Sequence, residues 1–121
     1  MYAEKQLLSA ELDTAASIQE SALRKDFEEF TRNLDVDIYA SMKPAKEVGG
    51  DFYGFMMLDD DHIALYIADV SGKGVPGALF MMKCKVLIDN DFHYIKDPVK
   101  LLAEINNKIC EELSKLAEKI K

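Results

Sequence analysis

The sequence predicts an α+β fold in which an antiparallel sheet of about three strands packs with long helices. Three observations lead there. Apolar residues recur at helical spacing near both ends of the chain. Two β-prone runs flank an acidic turn in the middle. A glycine-rich turn then leads directly into an apolar helix.

Taken in order, Leu8, Leu12, Ala15, Ile18, Ala22, Phe27 and Phe30 follow one another at spacings of three to five residues. This predicts one amphipathic helix from residue 2 to about 30. It either packs on its own domain or links to another domain or subunit. Val36 to Met42 alternates apolar and polar positions, as a half-buried strand does. Lys43 to Gly50 interrupts it, and Gly49-Gly50 allows backbone conformations closed to other residues. Phe52 to Leu58 and His62 to Ala68 flank Asp59-Asp60-Asp61 and read as a hairpin, covered on both faces because its second strand is apolar on both. Gly77 to about Phe92 reads as a helix that is apolar almost all round at its start and therefore buried there, with Pro76 where a first turn tolerates proline. Asp97 is placed to cap a last helix with Pro98 at its first position. Leu102, Ile105, Ile109, Leu113, Leu116 and Ile120 mark its apolar stripe.

Composition excludes several functions. The 121 residues carry 15 basic against 22 acidic side chains, a net charge of −7, which disfavours a face that grips nucleic acid or anionic lipid. No apolar run approaches the roughly 18 residues of a membrane span, and Met1 to Ala10 lacks the pattern of a signal peptide. The expectation is a soluble, cytoplasmic chain with no nucleic-acid or membrane partner. Cys84 and Cys110 are too few for a disulfide framework, and neither they nor His62 and His93 have zinc-ligand spacing. Both cysteines read as small buried hydrophobes.

The hairpin holds the informative chemistry. A turn centred on Asp60 pairs residues whose numbers sum to 120, so Asp51 and Asp69 face each other at its open end. Opposed side chains have Cβ atoms about 4.5–5.5 Å apart, and like charges there are destabilising. A shared proton, a salt bridge to Lys46 or Lys73, or a hard divalent cation with oxygen ligands would each offset the repulsion. Ser71-Gly72-Lys73-Gly74 before a helix has backbone N–H groups that attract anions. It is not a nucleotide P-loop, because no Ser or Thr follows Gly-Lys and Ile67 stands where the first glycine belongs.

Glu47-Val48-Gly49-Gly50-Asp51-Phe52-Tyr53 followed by Ala68-Asp69-Val70-Ser71-Gly72-Lys73-Gly74-Val75-Pro76 resembles the bacterial SpoIIE/RsbU-like branch of the PPM-type (protein phosphatase 2C-like) metal-dependent serine/threonine phosphatases. Ala15-Ala16-Ser17-Ile18-Gln19 is similar to the helix that precedes this domain. The resemblance runs from about Leu12 to Asn107, whereas Glu111 to Lys121 carries no family mark. It implies half of a PPM αββα sandwich, with residues 1–33 as a leading helix and 34–121 as a partial phosphatase domain. It also implies that Asp51, Asp69 and the Val70 carbonyl are ligands of Mn²⁺ or Mg²⁺. In such enzymes a metal-activated water attacks the phosphorus of a phosphoserine or phosphothreonine directly. The implied substrate is a phosphorylated small regulatory protein such as an anti-sigma-factor antagonist.

The chain departs from the family at three places. Gly54 stands where an acidic residue is common, Ala22-Leu23-Arg24 replaces Leu-Leu-Pro, and the family's later metal-binding aspartates are absent. The competing expectation is a non-catalytic helical interaction module that keeps the hairpin as scaffold. An incomplete sandwich also predicts a homodimer, since unpaired sheet edges and apolar helix stripes recruit a second chain.

Overall fold

The computed structural model describes residues 2–43, 49–70 and 74–120. Among them are four helices, α1 (Tyr2–Ser21), α2 (Phe27–Thr31), α3 (Gly74–Phe92) and α4 (Pro98–Ile120), and two strands, β1 (Asp51–Asp59) and β2 (His62–Asp69).

The expected helix from residue 2 to 30 is broken after Ser21. Between Ser21 and Phe27 the chain makes contacts both to β1 and within itself. Leu23 is buried, and the Tyr53 hydroxyl donates to the Arg24 carbonyl at 2.8 Å. The Arg24 guanidinium forks onto both Asp26 oxygens at 2.8 Å, donates to the Phe55 carbonyl at 3.1 Å and lies over the Phe30 and Phe55 rings. That is the use this chain makes of Ala22-Leu23-Arg24. The buried side of α1 is also rotated from the expected stripe. Leu8 and Ile18 are exposed, whereas Leu12, Ala15, Ala16 and Gln19 turn inward.

Val36 to Met42 is not a strand, so the sheet has two strands rather than three. The period-two pattern is nevertheless real. Ile38, Ala40 and Met42 pack on the core while Tyr39 and Ser41 face water. Alternating burial needs only an extended chain on an apolar surface, whereas a strand needs a ladder partner.

β1 and β2 pair antiparallel in the expected register, Asp51 opposite Asp69 and Gly54 opposite Tyr66, with an irregularity between Met57 and Asp59 at the turn. One face carries Phe52, Gly54 and Met56 against Ala68, Tyr66 and Ala64, and α3 and α4 cover it. Phe52, Met81 and Cys84 are buried at one end and Ala64, Phe92, Leu101 and Ile105 at the other. The opposite face is covered only over β1, where Leu23, Phe27 and Phe30 pack on Tyr53 and Phe55. Leu65 and Ile67 of β2 remain 62% and 90% exposed, so the hairpin is not covered on both sides as expected.

α3 starts three residues earlier than its pattern suggested. It buries Ala78, Met81, Cys84 and Phe92 but leaves Leu79 exposed, contrary to the expectation of burial at its start, and Val86 exposed further along. The Asp97 side chain accepts from the Val99 N–H at 2.9 Å and caps α4 as predicted. On α4 the buried positions are Leu101 and Ile105. Leu102, expected inside, is exposed, because the helix face that meets Ala64 and Phe92 is the one carrying Leu101 and Ile105, four residues apart; Lys108 also reaches the buried Asp91 of α3 at 2.8 Å. Cys84 is buried and Cys110 exposed, and both are free thiols, so only the first behaves as expected.

Gly54 is decided by its cross-strand neighbour. The Tyr66 ring lies over it, and a Cβ there would come within 2.1 Å of the ring. Tyr66 cannot easily move aside. Its hydroxyl donates to Asp89 and accepts from Lys85 at 3.1 Å, and Lys85 in turn bonds Asp89 at 2.8 Å. Burial is the main reason the Tyr66 hydroxyl is held far above its ordinary pKa, with Asp89 adding to it. Gly54→Ala should therefore cost about 1–3 kcal/mol of stability through overpacking. This would read as a lower urea midpoint at unchanged m. A midpoint equal to wild type would show that Tyr66 has room to shift.

Candidate metal centre

The open end of the hairpin brings Asp51 and Asp69 together, both exposed and directly opposite. Pairing continues one residue beyond the strands, where the Val70 N–H donates to the Gly50 carbonyl at 3.0 Å. Here glycine is required for space. A Cβ on Gly50 would lie 2.6 Å from the Val70 carbonyl oxygen. That oxygen and the two carboxylates thus sit at the same end of the hairpin, three oxygen donors of the kind a hard cation takes.

The two carboxyls act on each other. The Asp51 carboxyl is pushed above the ordinary carboxylate range. The largest cause is the nearby Asp69 carboxyl, with which a protonated Asp51 shares a hydrogen bond; partial desolvation and like-charge repulsion add to it. Lys46 and Lys73, the alternative salt-bridge partners, lie outside the described residues, as does the Ser71 to Lys73 part of the glycine-rich turn. Among the described residues no ion pair reaches Asp51 or Asp69, and no third His, Cys, Asp or Glu joins them to complete a metal cluster. The residues present fit part of a hard-cation centre.

A cleft of about 660 Å³ opens beside the pair. Tyr53 and Ile67 line it next to the two aspartates, and Tyr39 to Lys43 form its wall. The wall is the segment expected to be a strand. Gln19 also belongs to the surroundings of the site and was not singled out from sequence. It is buried, and its amide pairs with the backbone of Gly49. A signal did exist, a polar residue in line with Leu12, Ala15, Ala16 and Leu23.

Comparison with known proteins locates this arrangement. The family described as Stage II sporulation protein E (SpoIIE) matches residues 59–117, which include Asp69 and extend past the point where family marks were legible. Phosphoserine phosphatase RsbU of Bacillus subtilis (strain 168) is 32% identical over 105 residues, 87% of this chain and 30% of RsbU. Phosphoserine phosphatase RsbP of the same organism is 28% identical over 82% of this chain and 24% of its own length. The solved SiaA-PP2C domain of Pseudomonas aeruginosa superposes with a TM-score of 0.70 at 29% identity, over 88% of this chain and 43% of that one. The chain is thus SpoIIE/RsbU-like, similar over most of its length to PPM-type phosphatases. It spans about a third or less of the two Bacillus relatives and under half of the solved neighbour.

In this SpoIIE/RsbU-like chain the facing carboxylates carry a pH signature. A carboxyl whose pKa is raised on folding contributes stability that is present below its unfolded pKa and is lost as pH rises through the folded value. At neutral pH the pair therefore costs the cation-free fold stability. Asp69→Asn removes that cost, so without divalent cations its urea midpoint at pH 7 should equal or exceed that of wild type. Any advantage should shrink as pH falls through the raised Asp51 value, where Asp51 is protonated in folded wild type. A variant markedly less stable at pH 7 would mean that the pair holds the fold together rather than waiting for a cation.

Proposed function

We propose that the protein is part of a cytoplasmic, metal-dependent serine/threonine protein phosphatase, with Mn²⁺ or Mg²⁺ held by Asp51, Asp69 and the Val70 carbonyl. Its substrate is a phosphorylated small regulatory protein such as an anti-sigma-factor antagonist. One observation carries the reading: two carboxylates face each other beside a cleft, in a chain similar to two phosphoserine phosphatases. No helix among the described residues is long and apolar enough to cross a membrane.

When bound, such a cation neutralises phosphoryl charge and lowers the pKa of a coordinated water. The chain's own residues do the rest. Asp51 and Asp69 present oxygens from two strands held in one register. Gly50 leaves room for the Val70 carbonyl. Tyr53 and Ile67 give the cleft an apolar side next to the acids, and Tyr39 to Lys43 face them across it.

The second reading, a non-catalytic interaction module, is favoured by the short ligand set among the described residues. Metal titration separates the two. Millimolar Mn²⁺ should raise the melting temperature of wild type, because a ligand of the folded state stabilises it, and should leave Asp51→Asn and Asp69→Asn unmoved. Phosphopeptide turnover by the isolated chain should stay low even with Mn²⁺, since two carboxylates and a carbonyl are few ligands for a two-metal centre. No thermal shift in wild type would favour the module. Robust hydrolysis abolished by Asp69→Asn would instead make the short chain a complete enzyme.

The proposed assembly is a homodimer. Leu65 and Ile67 on the sheet and Leu79, Val86, Leu113 and Leu116 on the helices are apolar and exposed. A twofold partner is the commonest way to cover such surfaces. Sedimentation equilibrium at micromolar concentration should give twice 13.6 kDa. A constant monomer mass over a wide concentration range would exclude the dimer.

A further inference from the structure

Gln19 is the one residue of α1 whose side chain is buried. An uncharged polar group in that setting needs partners, and this one finds both in a single peptide unit. Its Nε2 donates to the Gly49 carbonyl, and the Gly49 N–H donates to its Oε1 at 3.1 Å. The side-chain amide thereby imitates a neighbouring strand, pairing with Gly49 as donor and acceptor together. Gly49 is followed by Gly50, whose carbonyl accepts from the Val70 N–H at 3.0 Å and whose bare Cα lies against the Val70 carbonyl. Asp51 comes next, opposite Asp69. Hydrogen bonds from Gln19 to Gly49 and from Val70 to Gly50, joined by the Gly49-Gly50 backbone, thus tie α1 to the ends of both strands, where the three candidate cation ligands lie.

We propose that Gln19 is a positioning residue for the cation site. It fixes the Gly49-Gly50 backbone so that Asp51 and the Val70 carbonyl present their oxygens together, and so makes docking of α1 and cation binding mutually dependent. The inference rests on the reading of Asp51 and Asp69 as cation ligands. The residue type matters. Leucine would fill the space but leave a donor and an acceptor of Gly49 without partners. Glutamate would keep the acceptor for the Gly49 N–H but set a carboxylate oxygen against the Gly49 carbonyl. Coupling between sites is reciprocal, so whatever α1 docking contributes to cation affinity, the cation returns to α1.

The test is calorimetric Mn²⁺ titration of wild type, Gln19→Leu, Gln19→Glu and Asp69→Asn, with amide hydrogen exchange followed in each. Gln19→Leu should weaken Mn²⁺ binding about tenfold or more, as loss of a residue that orients ligands does. Gln19→Glu should fall between it and wild type. In wild type Mn²⁺ should slow exchange in the last two turns of α1, a response that a purely structural glutamine would not produce. That slowing should vanish in Gln19→Leu. If Gln19→Leu does not fold, Gln19→Glu decides. A folded Gln19 variant that binds Mn²⁺ as wild type does, or a wild-type α1 whose exchange ignores Mn²⁺, overturns the proposal. Absence of Mn²⁺ binding in wild type and Asp69→Asn alike overturns the cation reading itself.

Discussion

Pairing Phe52 with Ala68 and Gly54 with Tyr66 settles at once which side chains meet the helices and which meet at the open end of the hairpin. Side chains alternate across a strand, so a slip of one residue would turn every one of them over. Phe52 and Ala64 would leave the core, Tyr66 would lose Lys85 and Asp89, and Asp51 and Asp69 would part to opposite faces. The register is held by packing at several points, among them the Tyr66 ring over Gly54. The carboxylates do not set it, since their mutual repulsion opposes it. Ordinary core burial thereby keeps two like charges facing each other, which is the arrangement a hard cation can use.

The face that carries the aspartates is also the face left partly open. Leu65 and Ile67 lie on it in water, while Tyr53 and Phe55 opposite them are covered by α2 and the residues before it. The SpoIIE/RsbU-like relatives are considerably longer than this chain, and the solved PP2C neighbour has more than twice the matched length. The exposed apolar strand thus lies on the same face as the two facing carboxylates.

The contacts around α1 and Arg24 show how the leading segment is fitted to the sheet. Arg24, braced by Asp26, holds the chain to β1 through Phe55 and Tyr53, and Gln19 holds it to Gly49. Between these anchors Leu23 is buried. The first turns of α1, by contrast, are exposed throughout. The helix is thus anchored at one end, where its polar contacts reach the approach to Asp51.

What was legible from residue order alone is local or follows from a symmetric pairing rule. The acidic turn, the two β-prone runs and the sum of 120 placed Asp51 opposite Asp69. Asp97 and Pro98 placed the start of α4. The Gly-Gly-Asp and Ala-Asp-Val-Ser-Gly-Lys-Gly motifs gave the family. Period and propensity report what a segment prefers, but not what it finds to pack against. Val36 to Met42 alternates as a strand does and stays unpaired because no neighbouring strand meets it among the described residues. The helix predicted to residue 30 ends at Ser21, and the Arg24 carbonyl and guanidinium beyond it bond to Tyr53, Phe55 and Asp26. Leu101 rather than Leu102 is inside because the helix face it shares with Ile105 is the one that meets Ala64 and Phe92. The glycine at 54 and the glutamine at 19 acquire their meaning from residues 12 and 30 positions away, Tyr66 and Gly49, and only the folded chain brings those partners into contact.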